Sequence, residues 1–181
     1  MANYCDNVIR LSGESEDLSK LYIKLKEKED GLNLSNYDQL FESVDDVEDW
    51  GSKWQMLNID YFEGDDMMFI TGDSAWGPAE GLWEKISKDY NLHIELTYSE
   101  PGHDFAGKTV WENGDLVDKE EYTYYEHLWY NDNEYFWEEI GNQSECYTLD
   151  EIKESIGDVW NLLSDNERLE VEKINSERYV S

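Results

Sequence analysis

The chain has 181 residues, enough for one generous domain or a domain with an extension. Because 39% of the residues are apolar and 14% aromatic, the chain can build a core, which excludes intrinsic disorder. Its 44 acidic residues against 14 basic ones give a net charge of −30, which argues against direct binding to nucleic acid or to an anionic membrane. With two cysteines, no signal peptide and no apolar stretch of membrane length, the sequence predicts a cytoplasmic protein with reduced thiols.

The first sixty residues predict two strands with a helix between them. Residues 7–12 alternate between apolar and polar side chains, as a half-buried strand does. A helix then begins at Ser15, carries its leucines on one face and ends at Gly31, which suits a C-cap. Residues 32–50 indicate only one or two short helical turns, and residues 54–62 alternate as a second strand.

A strand–helix–strand unit follows. The apolar run at residues 67–71 is short enough to be a buried strand, and Pro78 suits the first turn of a helix. That helix is predicted from Ala79 to Tyr90 and ends at Asn91, after which residues 92–98 alternate as a further strand. Together these elements predict an α+β fold with a ferredoxin-like βαββαβ sheet.

The same segments carry a family resemblance. Its residues are Ala75, Trp76, Pro78, Tyr98, Glu100, Pro101, Gly102, Phe105, Ala106 and Gly107, preceded by the segments Asn3–Asn7 and Trp50–Trp54. On this evidence the chain resembles, over residues 3–117, the YubB ferredoxin-like family of plasmid- and phage-borne proteins. The resemblance implies the fold and a mobile-element setting, and no catalytic residue. We expect the motif to be structural, with Trp76 and Phe105 largely buried.

A hairpin is predicted after this region. Asn113-Gly114 lies between two strand-like segments, residues 108–112 and 116–124, and this dipeptide is a strong signal for a two-residue hairpin turn. The sequence therefore adds a hairpin to the ferredoxin-like sheet.

The last third of the chain is acidic, aromatic and partly helical. Capping boxes at Thr148–Glu151 and Ser164–Glu167 each predict the start of a helix, and Ile152 and Leu163 belong to the apolar stripe of the first one. We therefore predict a ferredoxin-like domain at residues 1–118 and a helical extension at residues 119–181 that packs on it.

The signatures of common enzymes are missing from the sequence. It contains no Gly-rich phosphate loop, no nucleophile elbow and no His-Glu-x-x-His helix. We expect no catalytic residue, no cofactor and no metal site. One alternative stays open, because Glu100, His103 and Asp104 lie close together in the sequence and could ligate a cation. The other interpretation is that this turn positions Phe105.

The negative charge is concentrated in two acidic poles. Residues 29–66 carry twelve acids and one base, and residues 119–181 carry seventeen acids and five bases, whereas residues 1–28 carry five of each. A charge of −30 destabilises a compact chain through self-repulsion and exceeds what solubility requires. Halophilic adaptation is one explanation, although the chain keeps bulky Trp and Tyr. The other is that carboxylates imitate the phosphates of nucleic acid.

The poles supply the candidate partner-binding residues. The first set is Asp45, Asp46, Glu48 and Asp49, and the second is Glu134, Glu138, Glu139, Tyr135 and Trp137. The aromatic run around the second set could stack bases, but such platforms lie in positive grooves. Core packing or a protein interface, where Tyr and Trp are enriched, is the better interpretation.

These features favour a non-enzymatic inhibitor encoded by a phage or mobile element. Its acidic face would occupy the nucleic-acid-binding groove of a basic host defence protein, such as a CRISPR effector or a restriction enzyme. Binding to this partner should weaken with salt, and no direct binding to nucleic acid is expected. The alternative is a small intracellular regulatory or ligand-binding domain with no nucleic-acid connection.

Overall fold

The computed structural model describes residues 3–27, 32–33, 51–52 and 54–177. Its strands are β1 (Tyr4–Ser12), β2 (Leu32–Asn33), β3 (Trp54–Gln55), β4 (Asn58–Asp60), β5 (Met67–Ala75), β6 (His93–Glu100), β7 (Phe105–Glu112) and β8 (Asp115–Tyr122). Its helices are α1 (Ser15–Lys26), α2 (Glu80–Tyr90), α3 (Tyr124–Asn131), α4 (Asn133–Ser144), α5 (Leu149–Ile156), α6 (Val159–Leu162) and α7 (Asp165–Glu177). The chain divides into two compact units, a sheet unit at residues 1–121 and a helical unit at residues 122–181.

The sheet unit has the predicted α+β architecture. Its strands take the order β2-β3-β5-β1-β6-β7-β8, and β4 also pairs with β5. β1 pairs with β5 and with β6, β5 also pairs with β4, and β6 also pairs with β7. All of these pairs are antiparallel. With α1 after β1 and α2 after β5, this is the ferredoxin-like βαββαβ arrangement. β7 and β8 are the predicted hairpin, and the turn residues Asn113 and Gly114 both have positive φ, 54° and 88°.

The core of the sheet unit lies between one sheet face and the two helices. Along β1, the side chains of Cys5, Ile9 and Leu11 are completely buried and that of Asn7 is buried as well, whereas Tyr4, Asp6, Val8 and Arg10 are exposed. α1 and α2 cover the buried face with Leu18, Leu21, Leu25, Leu82, Trp83 and Ile86. The other face, which we call the open face, presents Tyr4, Asp6, Val8 and Arg10 of β1. A period of two along one strand therefore separates core from surface.

The predicted strand over residues 54–62 is interrupted. It forms two short strands, β3 and β4, because the chain bulges at Met56, whose N–H donates to the carbonyl of Asp73 at 2.7 Å. The facing residue, Gly72, has a φ of 150° and lies so close to the Met56 carbonyl that a Cβ would clash with it. A bulge of this kind depends on a residue in another strand, which is why local alternation did not reveal it.

The helical unit has a core of its own. α4 contributes Phe136 and Ile140, and the predicted apolar stripe contributes Ile152, Ile156, Val159 and Leu163. This stripe is divided between α5 and α6, and not carried by one helix, because Gly157 ends α5 with a φ of 53°. Both predicted capping boxes are present, at Thr148–Glu151 and Ser164–Glu167. In the described part of the chain, no helix is long and apolar enough to cross a membrane.

The prediction of helical turns at residues 32–50 falls outside the described residues, apart from β2. The predicted C-cap at Gly31 lies outside them as well.

Candidate functional site

The second acidic pole is organised by α3 and α4. α3 begins with a capping box in which the Thr123 hydroxyl accepts from Glu126 N and the Glu126 carboxylate accepts from Thr123 N. α4 follows directly, capped by Asp132, whose carboxylate accepts from Tyr135 N at 3.1 Å. The Thr-x-x-Glu pattern of this capping box can be recognised in the sequence at residues 123–126. Because the capping box begins a helix, β8 ends at Tyr122 and not at the predicted boundary, Tyr124.

One face of α4 is fixed in the core of the helical unit. Phe136 is completely buried, and the rings of Trp129 and Trp137 pack edge-on against it at centroid distances of 5.2 and 5.4 Å. Trp137, one of the candidate partner-binding residues, is therefore partly buried and supports this core. Edge-on aromatic contacts stabilise a cluster beyond the area that they bury.

The other face of α4 carries the candidate acids. Glu134 and Glu138 are exposed and one helical turn apart, so they lie on the same stripe. Tyr135 is 41% exposed beside Glu139, which is partly buried. Burial raises the pKa of the neighbouring Tyr124 well above its usual range, and Tyr135 and Glu139 add to this rise. The five residues of the second set thus share one helix, with Glu134, Tyr135 and Glu138 at the surface.

No basic side chain of the same region neutralises these acids. The sequence contains no Lys or Arg between Lys119 and Lys153, a signal that the composition of the whole chain conceals. The ion pairs found in the described part of the helical unit involve α5 and α7: Lys153–Glu172, Arg168–Asp165 and Lys173–Glu170. Among the described residues, no ion pair therefore neutralises Glu134 or Glu138 on the exposed stripe of α4.

The first acidic pole supplies the other four candidate residues. Asp45, Asp46, Glu48 and Asp49 lie outside the described residues.

The turn after β6 is held by hydrogen bonds to the side chain of Glu100. Glu100 is only 3% exposed, and its carboxylate accepts from Gly102 N at 3.1 Å and His103 N at 2.5 Å. Its Oε2 also lies 3.0 Å from the ring Nδ1 of His103. Phe105, which follows, is partly buried and packs against the sheet core and Tyr98. Among the residues that the structure describes, no group of three or more His, Cys, Asp or Glu side chains could hold a metal ion.

The expectation that Trp76 is largely buried is wrong. Its side chain is 46% exposed, and its backbone has a left-handed φ of 64°. The Trp76 N–H donates to the carbonyl of Asn3 at 2.9 Å, which holds this turn against the start of β1. β5 ends at Ala75, and Trp76 has a left-handed backbone conformation. The alternation of buried and exposed side chains along β5 therefore does not extend to Trp76.

A family described as the ferredoxin-like domain in Api92-like protein matches residues 49–150, which is more than half of the chain. The chain belongs to this family. The match to the Api92-like domain extends beyond the sheet unit and includes α3 and α4. The acidic aromatic helix is therefore inside the segment that defines the family.

One solved structure matches part of the chain. The crystal structure of protein api92 from Yersinia pseudotuberculosis is 22% identical over 46% of this chain and 33% of that chain, with a TM-score of 0.37. The chain thus spans about a third of the length of that Api92 structure. No curated protein matches the chain.

Proposed function

We propose that this Api92-like chain is a non-enzymatic protein that binds a basic surface of another protein through α4. The observation that carries the proposal is the exposed stripe of Glu134 and Glu138 beside Tyr135, in a stretch of sequence without Lys or Arg. A carboxylate stripe next to an exposed aromatic ring combines the two elements of a protein interface with a basic partner. The charges accelerate and select association, and the ring supplies an anchor.

The partner that fits this chemistry is a protein that ordinarily binds nucleic acid. Duplex DNA presents one negative charge per roughly 1.7 Å of helix axis, and a groove built for that charge also attracts a dense row of carboxylates. The same charge repels DNA and RNA themselves, so no direct binding to nucleic acid is expected. Within this proposal the chain acts as a competitor that occupies the groove.

The proposed identity of the host protein rests on the YubB resemblance and not on the geometry. We propose that the chain is a YubB-like protein of a phage or plasmid, on the motif residues quoted above, and that it acts in the cytoplasm. Proteins of such elements gain from blocking host defence, so a CRISPR effector or a restriction enzyme is the proposed partner. No catalytic residue or cofactor takes part in this mechanism.

The experiment is a pull-down with the tagged chain from a host that carries these defence systems, followed by mass spectrometry and a DNA-cleavage assay. We expect recovery of a basic nuclease whose cleavage the chain inhibits, and loss of both results for Glu134→Lys combined with Glu138→Lys. Recovery of metabolic enzymes alone, with unchanged DNA cleavage, would refute the proposal.

A groove in the helical unit favours a second candidate, a ligand-binding regulatory domain. It has a volume of about 370 Å³ and is lined by Gln143, Tyr147, Glu151, Glu154 and Ser155. This volume lies in the range of small-molecule sites. A thermal-shift screen of metabolites would test it: a ligand whose stabilising effect is abolished by Ser155→Trp would support the regulatory function. Leu169→Trp, at a 61% exposed position outside the groove, would be the control.

A further inference from the structure

β8 forms one edge of the sheet. In the described part of the chain the strand order ends at β8, and its strand neighbour is β7. The side of an edge strand that faces away from the sheet, here called the outer edge, presents backbone N–H and C=O groups to which another strand can add. Proteins usually protect such edges by keeping the strand short or by placing proline in it. β2, at the other end of the order, has two residues, whereas β8 has eight and contains no proline.

Both faces of β8 are exposed. Seven of its eight residues are exposed, whereas five of the eight residues of the neighbouring strand β7 are buried. Leu116 is 59% exposed and Val117 is 61% exposed. Because they are neighbours in a strand, one projects to the open face and the other to the face that α1 and α2 cover. The core therefore gains little from the side chains of β8, and an apolar side chain is accessible on each of its faces.

The inner side of β8 is fixed to α2 and β7. At the hairpin turn, Gly114 N donates to the Ser87 hydroxyl of α2 at 2.9 Å. Further along the strand, Lys119 Nζ lies 3.1 Å from a carboxylate oxygen of Glu80, and the other oxygen of Glu80 accepts from the Thr109 hydroxyl at 2.5 Å. β8 is therefore a preformed template, and a segment that pairs with it does not have to order it first.

The side chains of β8 are mostly acidic. Its single cation, Lys119, is paired with Glu80 and, at 3.3 Å, with Glu121. Its acids are Asp115, Asp118, Glu120 and Glu121. Like charges opposite one another in neighbouring strands are destabilising, whereas opposite charges stabilise the strand pair. The charge of β8 thus opposes pairing with a second β8 and favours a strand that carries lysine or arginine.

We propose that β8 binds an extended basic segment of a partner protein, which adds to the sheet as a further strand along the outer edge. Main-chain hydrogen bonds supply the affinity in this mode of recognition, and alternating side chains supply the specificity. Asp115 and Val117 lie on one face of β8, and Leu116 and Asp118 lie on the other. The complementary segment has the order basic, apolar, apolar, basic, so that each face joins one opposite-charge pair and one apolar pair.

Charge selects this occupant over the alternatives. Nucleic acid is anionic, and a second copy of the chain carries the same net charge of −30. The inference goes beyond the α4 interface proposed above, because it concerns a strand of the sheet unit and a recognition mode that uses the backbone.

The test uses the full chain and the capped peptide Thr-Lys-Val-Val-Lys-Thr, followed by NMR titration and by hydrogen exchange of the backbone amides. We expect the peptide to bind and to slow exchange in β8. A second peptide carries N-methyl groups on both valines, which keeps the charge and blocks both edges of the added strand. It should bind at least about fivefold more weakly, the loss expected for one backbone hydrogen bond. The peptide Thr-Glu-Val-Val-Glu-Thr should not bind.

Charge reversal in β8 should exchange the preference. Asp115→Lys with Asp118→Lys changes exposed side chains, so the variant should fold, lose the lysine peptide and bind the glutamate peptide. The matched control is Glu134→Lys with Glu138→Lys, which makes the same change in net charge on α4 and should still prefer the lysine peptide.

Proline substitutions test the outer edge itself. Neighbouring residues direct their N–H groups alternately to β7 and to the outer edge, so Leu116→Pro and Val117→Pro affect different sides of β8. The variant that keeps a melting temperature close to that of the wild type should lose peptide binding. If neither variant folds, the comparison of the methylated and unmethylated peptides decides.

Three results would overturn the inference. The first is equal binding of the methylated and unmethylated peptides, which would show attraction by charge alone. The second is binding that leaves the exchange of the β8 amides unchanged. The third is a concentration-dependent dimer in which the β8 amides are protected without peptide, which would assign the outer edge to a second copy of the chain.

Discussion

Gly107 lies against the ring hydroxyl of Tyr98. The two residues are register partners in β6 and β7, and the hydroxyl occupies the space that a Cβ at position 107 would need. Tyr98 is 6% exposed, and burial raises its pKa to about 12, so the phenol stays neutral in its pocket. The carbonyl of Glu120 closes the same space from β8. A glycine at position 107 is therefore required by a close approach and not by its backbone angles.

Gly107→Ala should destabilise the sheet unit by about 1–3 kcal/mol, the usual cost of forcing an extra carbon into a packed site. Urea unfolding followed by tryptophan fluorescence measures this loss. Gly141→Ala in α4 is the matched control, because a Cβ there meets no atom within 4 Å. It should stabilise the helix by up to about 1 kcal/mol. Equal stability of the Gly107→Ala protein and the wild type would show that β7 can move away at little cost.

Asp6 of β1 and Asp73 of β5 are register partners, and this pair predicts an unusual pH dependence of stability. Burial, followed by the hydrogen bond and the charge of Asp73, raises the pKa of Asp6 from 3.8 to about 6. A carboxyl group whose pKa is raised by folding destabilises the folded state when it is ionised. This destabilisation is present in full above pH 6 and is relieved as the pH falls from 6 towards 4.

Asp73→Asn should therefore stabilise the protein at pH 7.5, by roughly 0.2–1 kcal/mol, the range of a cross-strand pair. The advantage over the wild type should shrink below pH 6 and vanish near pH 4. Chemical denaturation at a series of pH values measures the difference. Asp65→Asn, in the exposed loop before β5, is the control for the loss of one negative charge. The prediction is wrong if the two variants show the same pH profile.

Two tryptophans should respond in opposite ways to substitution. Trp83 is completely buried and donates from its indole to the side-chain oxygen of Gln55 at 3.2 Å, so Trp83→Ala should cost about 3–5 kcal/mol. Trp76→Gly removes a half-exposed ring and also relieves a left-handed backbone. We expect its melting temperature to stay at or above that of the wild type. A loss as large as that of Trp83→Ala would show that Trp76 supports the core.

Local patterns account for most of the fold that the sequence predicted. The alternation of β1, the capping boxes of α5 and α7 and the Asn113-Gly114 turn each depend on residues a few positions apart, and all are confirmed. The acids of α4 were chosen because they flank aromatic residues, and the helix that places Glu134 and Glu138 on one stripe was not predicted.

The features that sequence analysis missed depend on residues far apart in the chain. Asp6 meets Asp73 only through the register of β1 and β5, which local composition does not specify. The bulge at Met56 depends on Gly72 in the next long strand. Trp76 was misplaced because its position at a strand end, next to turn residues, was taken to indicate burial, whereas its positive φ leaves the side chain half exposed.

The α4 surface gives the most direct test of the proposed function. Glu134→Lys with Glu138→Lys reverses two exposed charges on one helical stripe and leaves Phe136 and Ile140 in the core. Exposed charges contribute little to stability, so the variant should fold, with circular dichroism and a melting transition close to those of the wild type. The corresponding reversal of Asp45, Asp46, Glu48 and Asp49 is the equivalent test for the first acidic pole.

Binding to the basic partner should respond much more strongly than folding. Loss of carboxylates that are desolvated in a complex costs 2–5 kcal/mol or more, because the cations of the partner are left without counter-charges. The control is Glu16→Lys with Glu27→Lys on α1, which makes the same change in net charge within the neutral block of the sequence. If net charge alone governed binding, both double variants would lose affinity equally in calorimetry. Unchanged affinity in the folded charge-reversal variants of both poles would reject the phosphate-mimic hypothesis and leave acidity as a solubility trait. A loss of affinity in the α4 variant alone is the result expected of a specific acidic interface. The difference in affinity between this variant and the wild type should shrink as salt is raised.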